Sequence, residues 1–203
     1  MKKPIAVIGT GYVGGVVAGA LAYLGHEVVA VERDLDKLAS FQEGAVPVHE
    51  AGLAELMEIA RANERIRFVA EVKEIGDVDI AFLCVGTPSD RNGDADLTAI
   101  RSAAHDLGEV ISGRTVVVTK STVPIGTNLR IQLDVETAMK ASGSSGEVAV
   151  VSNPEFLRTG SAVGDFLHPD RVVLGSDDPA ALEAITAIYK PILDQKLPPG
   201  DPT

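Results

Sequence analysis

Short, continuous apolar runs alternate along the chain with longer amphipathic stretches, the pattern of repeated strand–helix–strand units around a parallel sheet. Strands are predicted at 5–9 (IAVIG), 27–32 (EVVAVE), 66–70 (IRFVA), 78–85 (VDIAFLCV), 114–120 (RTVVVTK) and 147–152 (EVAVVS), with a further short one at 171–175 (RVVLG). Helical periodicity fills 12–24, 34–43, 50–63, 97–111, 126–141 and 178–190. β-Branched runs such as TVVVT suit strands covered on both faces. Gly25 is expected to end the first helix, and Ser112-Gly113 and Ser142-Gly143 two later ones. No internal repeat appears. The final KLPPGDPT (196–203) offers no packing face and reads as the start of a linker or an untied terminus.

Composition narrows the function classes. A net charge of -11 with 18 Lys plus Arg argues against a nucleic-acid surface, which needs clustered positive charge, and points to small-molecule partners. No apolar stretch reaches the roughly 20 residues that span a bilayer, so no membrane partner is expected. The single cysteine, Cys84, allows no internal disulfide and fits a cytoplasmic setting. Its FLCV surroundings read as core.

The junction of the first strand and first helix carries GTGYVG. Gly9 permits a tight turn, Gly11 lets the backbone approach a pyrophosphate, and Gly14 lets helix and strand pack closely, while Tyr12 and Val13 open the helix beneath the phosphates. Three spaced glycines alone are weak evidence. Here a strand precedes them, a helix follows, and Glu32 closes the second strand about 20 residues on, which makes a dinucleotide site the expectation. The fold class that follows is a Rossmann-type, doubly wound α/β domain, its mostly parallel sheet covered by helices on both faces. Glu32 can pair with both ribose hydroxyls and repel a 2′-phosphate, favouring NAD over NADP. Arg33 is the counter-evidence, because a neighbouring Arg can receive a 2′-phosphate, but a solvated side chain or one stacked on adenine is the preferred reading. Lys37, one helical turn on, is either a solvated charge or a second contact to the ribose edge.

Ligands of open parallel sheets sit outside the carboxyl ends of the strands, and three loops there are unusual. Gly86, Thr87 and Pro88 shape a close turn under a cofactor; Ser121 and Thr122 precede a proline and a new helix; Glu155 emerges from an otherwise apolar strand into NPEFLRTGSA. A carboxylate so placed can serve as a base, or equally as a helix cap or structural ion pair. GTGYVG, VGTP followed by Asp-Leu-Thr, KSTVPIGT, SNPEFLR and HPDRVVLG occur in that order, and in this the chain resembles the UDP-glucose/GDP-mannose dehydrogenases along essentially its whole length. KSTVPIGT with NPEFLR carries the resemblance, because a generic dinucleotide domain needs neither.

The resemblance implies a four-electron oxidation of a sugar C6 alcohol, with two hydrides passing to two NAD molecules through a cysteine-bound thioester. In it Thr122 positions water, Glu155 is the general base, Phe156, Leu157 and Arg158 line the sugar-nucleotide side with Glu155, and Ser121, Thr122 and Thr159 join the cofactor contacts. Many relatives have an acid where this chain has Thr159, which puts that acid's role in question. Relatives also continue into a central helix, through which they dimerise, and a second domain bearing the nucleophilic cysteine. Residues 1–192 are therefore expected to form the NAD-binding domain, and 193–203 to begin a linker. Binding partners are NAD and a nucleotide sugar, with no metal. The competing readings are a freestanding NAD-binding regulatory module without catalysis, and a β-hydroxyacid dehydrogenase, which would not be expected to carry NPEFLR.

Overall fold

The computed structural model describes residues 3–200 and 202. Among these residues six parallel strands stand in the order β3-β2-β1-β4-β5-β6. They are β1 (Ile5–Ile8), β2 (Val28–Val31), β3 (Ile66–Val69), β4 (Ile80–Leu83), β5 (Arg114–Thr119) and β6 (Glu147–Ser152). Among the described residues seven α-helices accompany them: α1 (Tyr12–Tyr23), α2 (Leu35–Glu43), α3 (Leu53–Ala62), α4 (Thr98–Val110), α5 (Thr127–Ser142), α6 (Ala162–Leu167) and α7 (Pro179–Leu193).

Each strand feeds two apolar layers because successive side chains point to opposite faces. Val7, Ala30, Phe82, Val118 and Val151 join α1, α3, α6 and α7 on one side. Ile8, Val31, Leu83 and Val117 join α4 and α5 on the other. The double covering predicted from the β-branched runs is thus present. Strand order reverses between β1 and its neighbours β2 and β4, which opens a crevice at the carboxyl ends of the central strands, where the glycine turn lies.

Helix ends follow local chemistry. Asp34 caps α2 by accepting from the N–H groups of Asp36 and Lys37, and left-handed Gly44 closes it. Gly25, at φ 97°, ends α1 as expected, and Gly143 ends α5. Gly113 does not play that part: α4 stops at Val110 and its cap, Ile111, is already extended.

Two further expectations are corrected. Residues 171–175 form no strand; only Gly175 touches β6, exchanging both backbone hydrogen bonds with Ser152 in one antiparallel bridge. The Val173 carbonyl is instead taken by the Asn153 side chain, which draws the segment away from a ladder. The tail after α7 also packs: Leu197 lies on the core, the Tyr23 hydroxyl donates to the Pro198 carbonyl, and the Pro202 carbonyl approaches Gly52. Its prolines supply carbonyls and ring faces, so the segment has the packing face that was not expected of it.

Candidate active site

The glycine turn has the geometry its spacing predicts. Gly9 adopts φ 90°, and a Cβ there would press on Val85 and the Cys84 backbone. A Cβ on Gly14 would lie 1.8 Å from the Gly9 carbonyl oxygen and 2.9 Å from the Cys84 Cβ, so only glycine lets α1 start this close to β4. At Gly11 a Cβ would meet nothing within 4 Å. That open backbone, at a helix start without a side-chain cap, fits a pyrophosphate whose oxygens would take the first-turn N–H groups. Tyr12 and Val13 are half-buried against the core.

Glu32 stands at the end of β2 with both oxygens oriented: Oε2 accepts from the Thr10 hydroxyl at 2.8 Å and Oε1 from the Asp34 N–H at 2.9 Å. Each oxygen keeps a lone pair for a ribose hydroxyl. Arg33 is exposed and forms an ion pair with Asp106 on α4. Lys37 is exposed, and only its backbone N–H is held, by Asp34.

The loops after β4 and β5 are stapled together. Thr87 Oγ1 donates to the Thr122 carbonyl at 3.0 Å, and Ser121 Oγ to the Val85 carbonyl at 2.6 Å. Gly86 and Pro88 are exposed beside them, with the Pro88 carbonyl accepting from the Asp96 N–H. The Thr122 side chain is exposed and is not among the groups lining the cavity described next.

Beyond β6, Glu155, Phe156, Leu157 and Arg158 line one cavity of about 450 Å³, together with Lys120, Asn153, Phe166 and Tyr189. Asn153 anchors the loop: its Oδ1 accepts from the Tyr189 hydroxyl at 2.6 Å and its Nδ2 donates to the Val173 carbonyl at 3.0 Å. Burial pushes the Tyr189 phenol well above its ordinary range. Arg158 is held by Asp165 through Nε at 3.2 Å and a terminal nitrogen at 2.6 Å, which holds the Asp165 carboxyl down at about 2 against the opposing effect of burial. Glu155 accepts one long contact, from the Leu157 N–H at 3.3 Å, and is otherwise open to the cavity.

Thr159 is exposed and adjoins a second anchor. Glu50, between α2 and α3, accepts from the N–H groups of Gly160 at 2.9 Å and Ala162 at 2.8 Å. Burial works to raise the Glu50 carboxyl, but these N–H donors and Tyr12 outweigh it and lower the pKa. The Tyr12 hydroxyl is buried and no partner meets hydrogen-bond geometry, although Glu50 and Thr159 are near enough to bear on its ionisation. Burial first, and then Glu50, push that phenol to about 12.

Residues 3–193 match the model of the UDP-glucose/GDP-mannose dehydrogenase family, NAD binding domain. The chain belongs to that family. NAD is accordingly its cofactor, and the open Gly11 backbone and the oriented Glu32 fit it. The UDP-glucose 6-dehydrogenase of Rhizobium meliloti is 42% identical over 192 residues, which are 93% of this chain and 43% of that protein. TuaD of Bacillus subtilis, also a UDP-glucose 6-dehydrogenase, is 43% identical over 94% of this chain and 41% of its own length. The fold matches a ternary complex of GDP-mannose dehydrogenase from Pseudomonas aeruginosa with a TM-score of 0.86 and 35% identity, covering 92% of this chain and 44% of that one. The chain thus spans less than half the length of these dehydrogenases.

Three residues of the site were not expected from the sequence. Nothing there sets Thr10 apart between its two glycines, or Glu50 at the start of a helical stretch. Lys120 ends an apolar strand, as Glu155 follows one, and that shared signal could have found it.

Proposed function

We propose that this chain is the cofactor-binding portion of an enzyme that oxidises the C6 alcohol of a nucleotide sugar, UDP-glucose or GDP-mannose, to the carboxylate. NAD supplies the hydride acceptor in each of two oxidations. The observation that carries the proposal is the pairing, on one sheet, of a glycine turn built for a pyrophosphate with a cavity that presents Glu155 at the carboxyl end of β6.

In this reading the turn from Gly9 to Gly14 holds the phosphates, and Glu32, steered by Thr10, holds the adenosine ribose. Gly86, Thr87, Pro88, Ser121 and Thr122 form the floor toward the nicotinamide, with the two loops fixed to each other by the Thr87 and Ser121 hydrogen bonds. Lys37 remains at the ribose edge, and Thr159 stands where the substrate loop meets Tyr12. Glu155 is the general base, and Phe156, Leu157 and Arg158 form one wall of the sugar-nucleotide pocket. Arg158 acts with its charge already shared with Asp165, so it shapes the wall more than it attracts phosphate.

The second oxidation of an aldehyde requires a covalent thiol adduct or an equivalent hydrate. Cys84 is a poor nucleophile for this: it is buried, and burial raises the thiol to about 12, only partly offset by Lys120. In this reading the oxidation proceeds through a thiol adduct, and the thiol is supplied by a cysteine other than Cys84. We further propose that residues 1–192 act as the NAD-binding unit, with 193–203 leading toward the remainder, and that the whole enzyme is a cytoplasmic homodimer. Among the described residues no helix is long and apolar enough to cross a membrane.

The test is NADH formation from UDP-glucose and from GDP-mannose by the purified chain, beside NAD binding by calorimetry. The reading expects binding without sustained turnover. Two NADH per sugar from the chain alone, unchanged by Cys84→Ser, would contradict it. A freestanding regulatory module also predicts binding without turnover, but gives no reason for Glu155 to face a cavity.

A further inference from the structure

Lys120 is the first residue after β5, held there by its N–H to the Leu83 carbonyl at 3.0 Å. It is 5% exposed, yet its ammonium makes no hydrogen bond or ion pair with any described residue. The nearest feature is the face of the Phe166 ring, whose centroid lies 5.8 Å from Nζ, a weak substitute for lost hydration. A side chain this buried, whose ammonium meets no protein acceptor and opens onto the cavity, is the kind of group a ligand completes. Lys120 lines the same cavity as Glu155.

The remaining polar groups of the cavity narrow what that ligand is. Asn153 has both ends engaged, by Tyr189 and by the Val173 carbonyl. Arg158 is committed to Asp165, and the Arg171 guanidinium lies over the Phe156 ring, 4.7 Å from its centroid. Asp170, His168 and Arg171 also line the cavity but are exposed to solvent, so the open ends among its less exposed groups are a cationic donor, Lys120, and an anionic acceptor, Glu155. A carboxylate or phosphate filling the space would face Glu155, and an amine would face Lys120. A hydroxyl satisfies both, because its oxygen accepts while its proton is donated. The cavity of about 450 Å³ also falls in the range of small-molecule sites.

We propose that Lys120 is a substrate-contacting residue whose ammonium donates to the C6 hydroxymethyl oxygen of the sugar, while Glu155 accepts from the same hydroxyl. The inference rests on the nucleotide-sugar reading above, which places C6 at the strand ends where the nicotinamide also lies. No bond is made or broken at Lys120; its charge favours the partial negative charge that gathers on this oxygen as its proton departs. Burial brings the amine down to about 8, with Cys84 and Glu155 opposing the shift, so the ammonium predominates at neutral pH.

The experiment is a cycle on the 203-residue chain, crossing Lys120→Met with removal of the ligand's hydroxyl. UDP-glucose and UDP-6-deoxyglucose are titrated into wild type and variant, with NAD titrated in parallel. Wild type should bind UDP-glucose about tenfold more tightly than the deoxy compound, as a charge-assisted hydrogen bond of about 1.4 kcal/mol requires. Lys120→Met should erase that difference, bind the deoxy compound as wild type does, and leave NAD affinity unchanged. Its melting temperature should be no lower than wild type, since Met fills the same space without a charge. Equal weakening toward both ligands, or an undiminished preference for UDP-glucose, overturns the inference and leaves the nucleotide-sugar reading standing. Wild type that binds NAD but neither sugar nucleotide overturns both.

Discussion

The Thr10 hydroxyl, fully buried between the glycines of the turn, donates at 2.8 Å to the Glu32 carboxylate at the end of the neighbouring strand. The two halves of the dinucleotide site, phosphate turn and ribose acid, are therefore one hydrogen-bonded unit. Thr10→Val keeps the shape and removes the donor. NAD affinity should fall about fivefold, the equivalent of roughly 1 kcal/mol, by calorimetry. Unchanged affinity would show that Asp34 alone orients the carboxylate.

Gly11 and Gly14 should separate function from folding. Gly14→Ala drives a methyl into the Gly9 carbonyl and should cost about 1–3 kcal/mol of stability in urea titrations, or more if the turn cannot shift. Gly11→Ala meets open space and should leave the denaturation midpoint nearly unchanged while weakening NAD at least tenfold, because the methyl fills the phosphate cradle.

Lys120 has a pH signature. Its folded value, about 8 against the ordinary 10.5, means that the unfolded chain binds the extra proton between those limits. Its destabilising effect is complete below pH 8 and is relieved as pH rises toward 10.5, by roughly 3 kcal/mol in all. Lys120→Met lacks this dependence, so the variant's stability advantage should shrink across that window. Cys84 and Tyr189 titrate in both proteins and largely cancel in the difference. Parallel curves would contradict the burial of a lone ammonium.

Tyr189→Phe should test the anchor of the Glu155 loop. It leaves Asn153 Oδ1 without its donor in a buried position, at a cost of about 1–3 kcal/mol in denaturant unfolding. Amide exchange at 155–158 should quicken beyond what the global change explains. A loss confined to global stability would show that Asn153 holds the loop through Val173 alone.

What could be read from the sequence was whatever has a local cause. GTGYVG dictates its own turn because Gly9 takes a left-handed φ and Gly14 packs on the Gly9 carbonyl five residues before it, and TVVVT can hardly be other than a doubly covered strand. RVVLG carries the same apolar signal yet forms only one bridge, because the competing partner, Asn153, lies 20 residues away in sequence. The short α6 went unseen because six residues give too little periodicity, and its first N–H is satisfied from Glu50, 112 residues distant. For the site, Glu155 announced itself as an acid after an apolar strand. Thr10 and Glu50 did not, because their meaning lies in what surrounds them: a carboxylate one strand over, and a loop brought in by the fold.

The most direct test of the account is a calorimetric titration of wild type and Glu32→Ala with NAD and with NADP. Wild type should bind NAD at least tenfold more tightly than NADP, since Glu32 pairs with two hydroxyls and opposes a phosphate, and Glu32→Ala should narrow the gap. NADP binding as tight as NAD in wild type, or no dinucleotide binding at all, would contradict it.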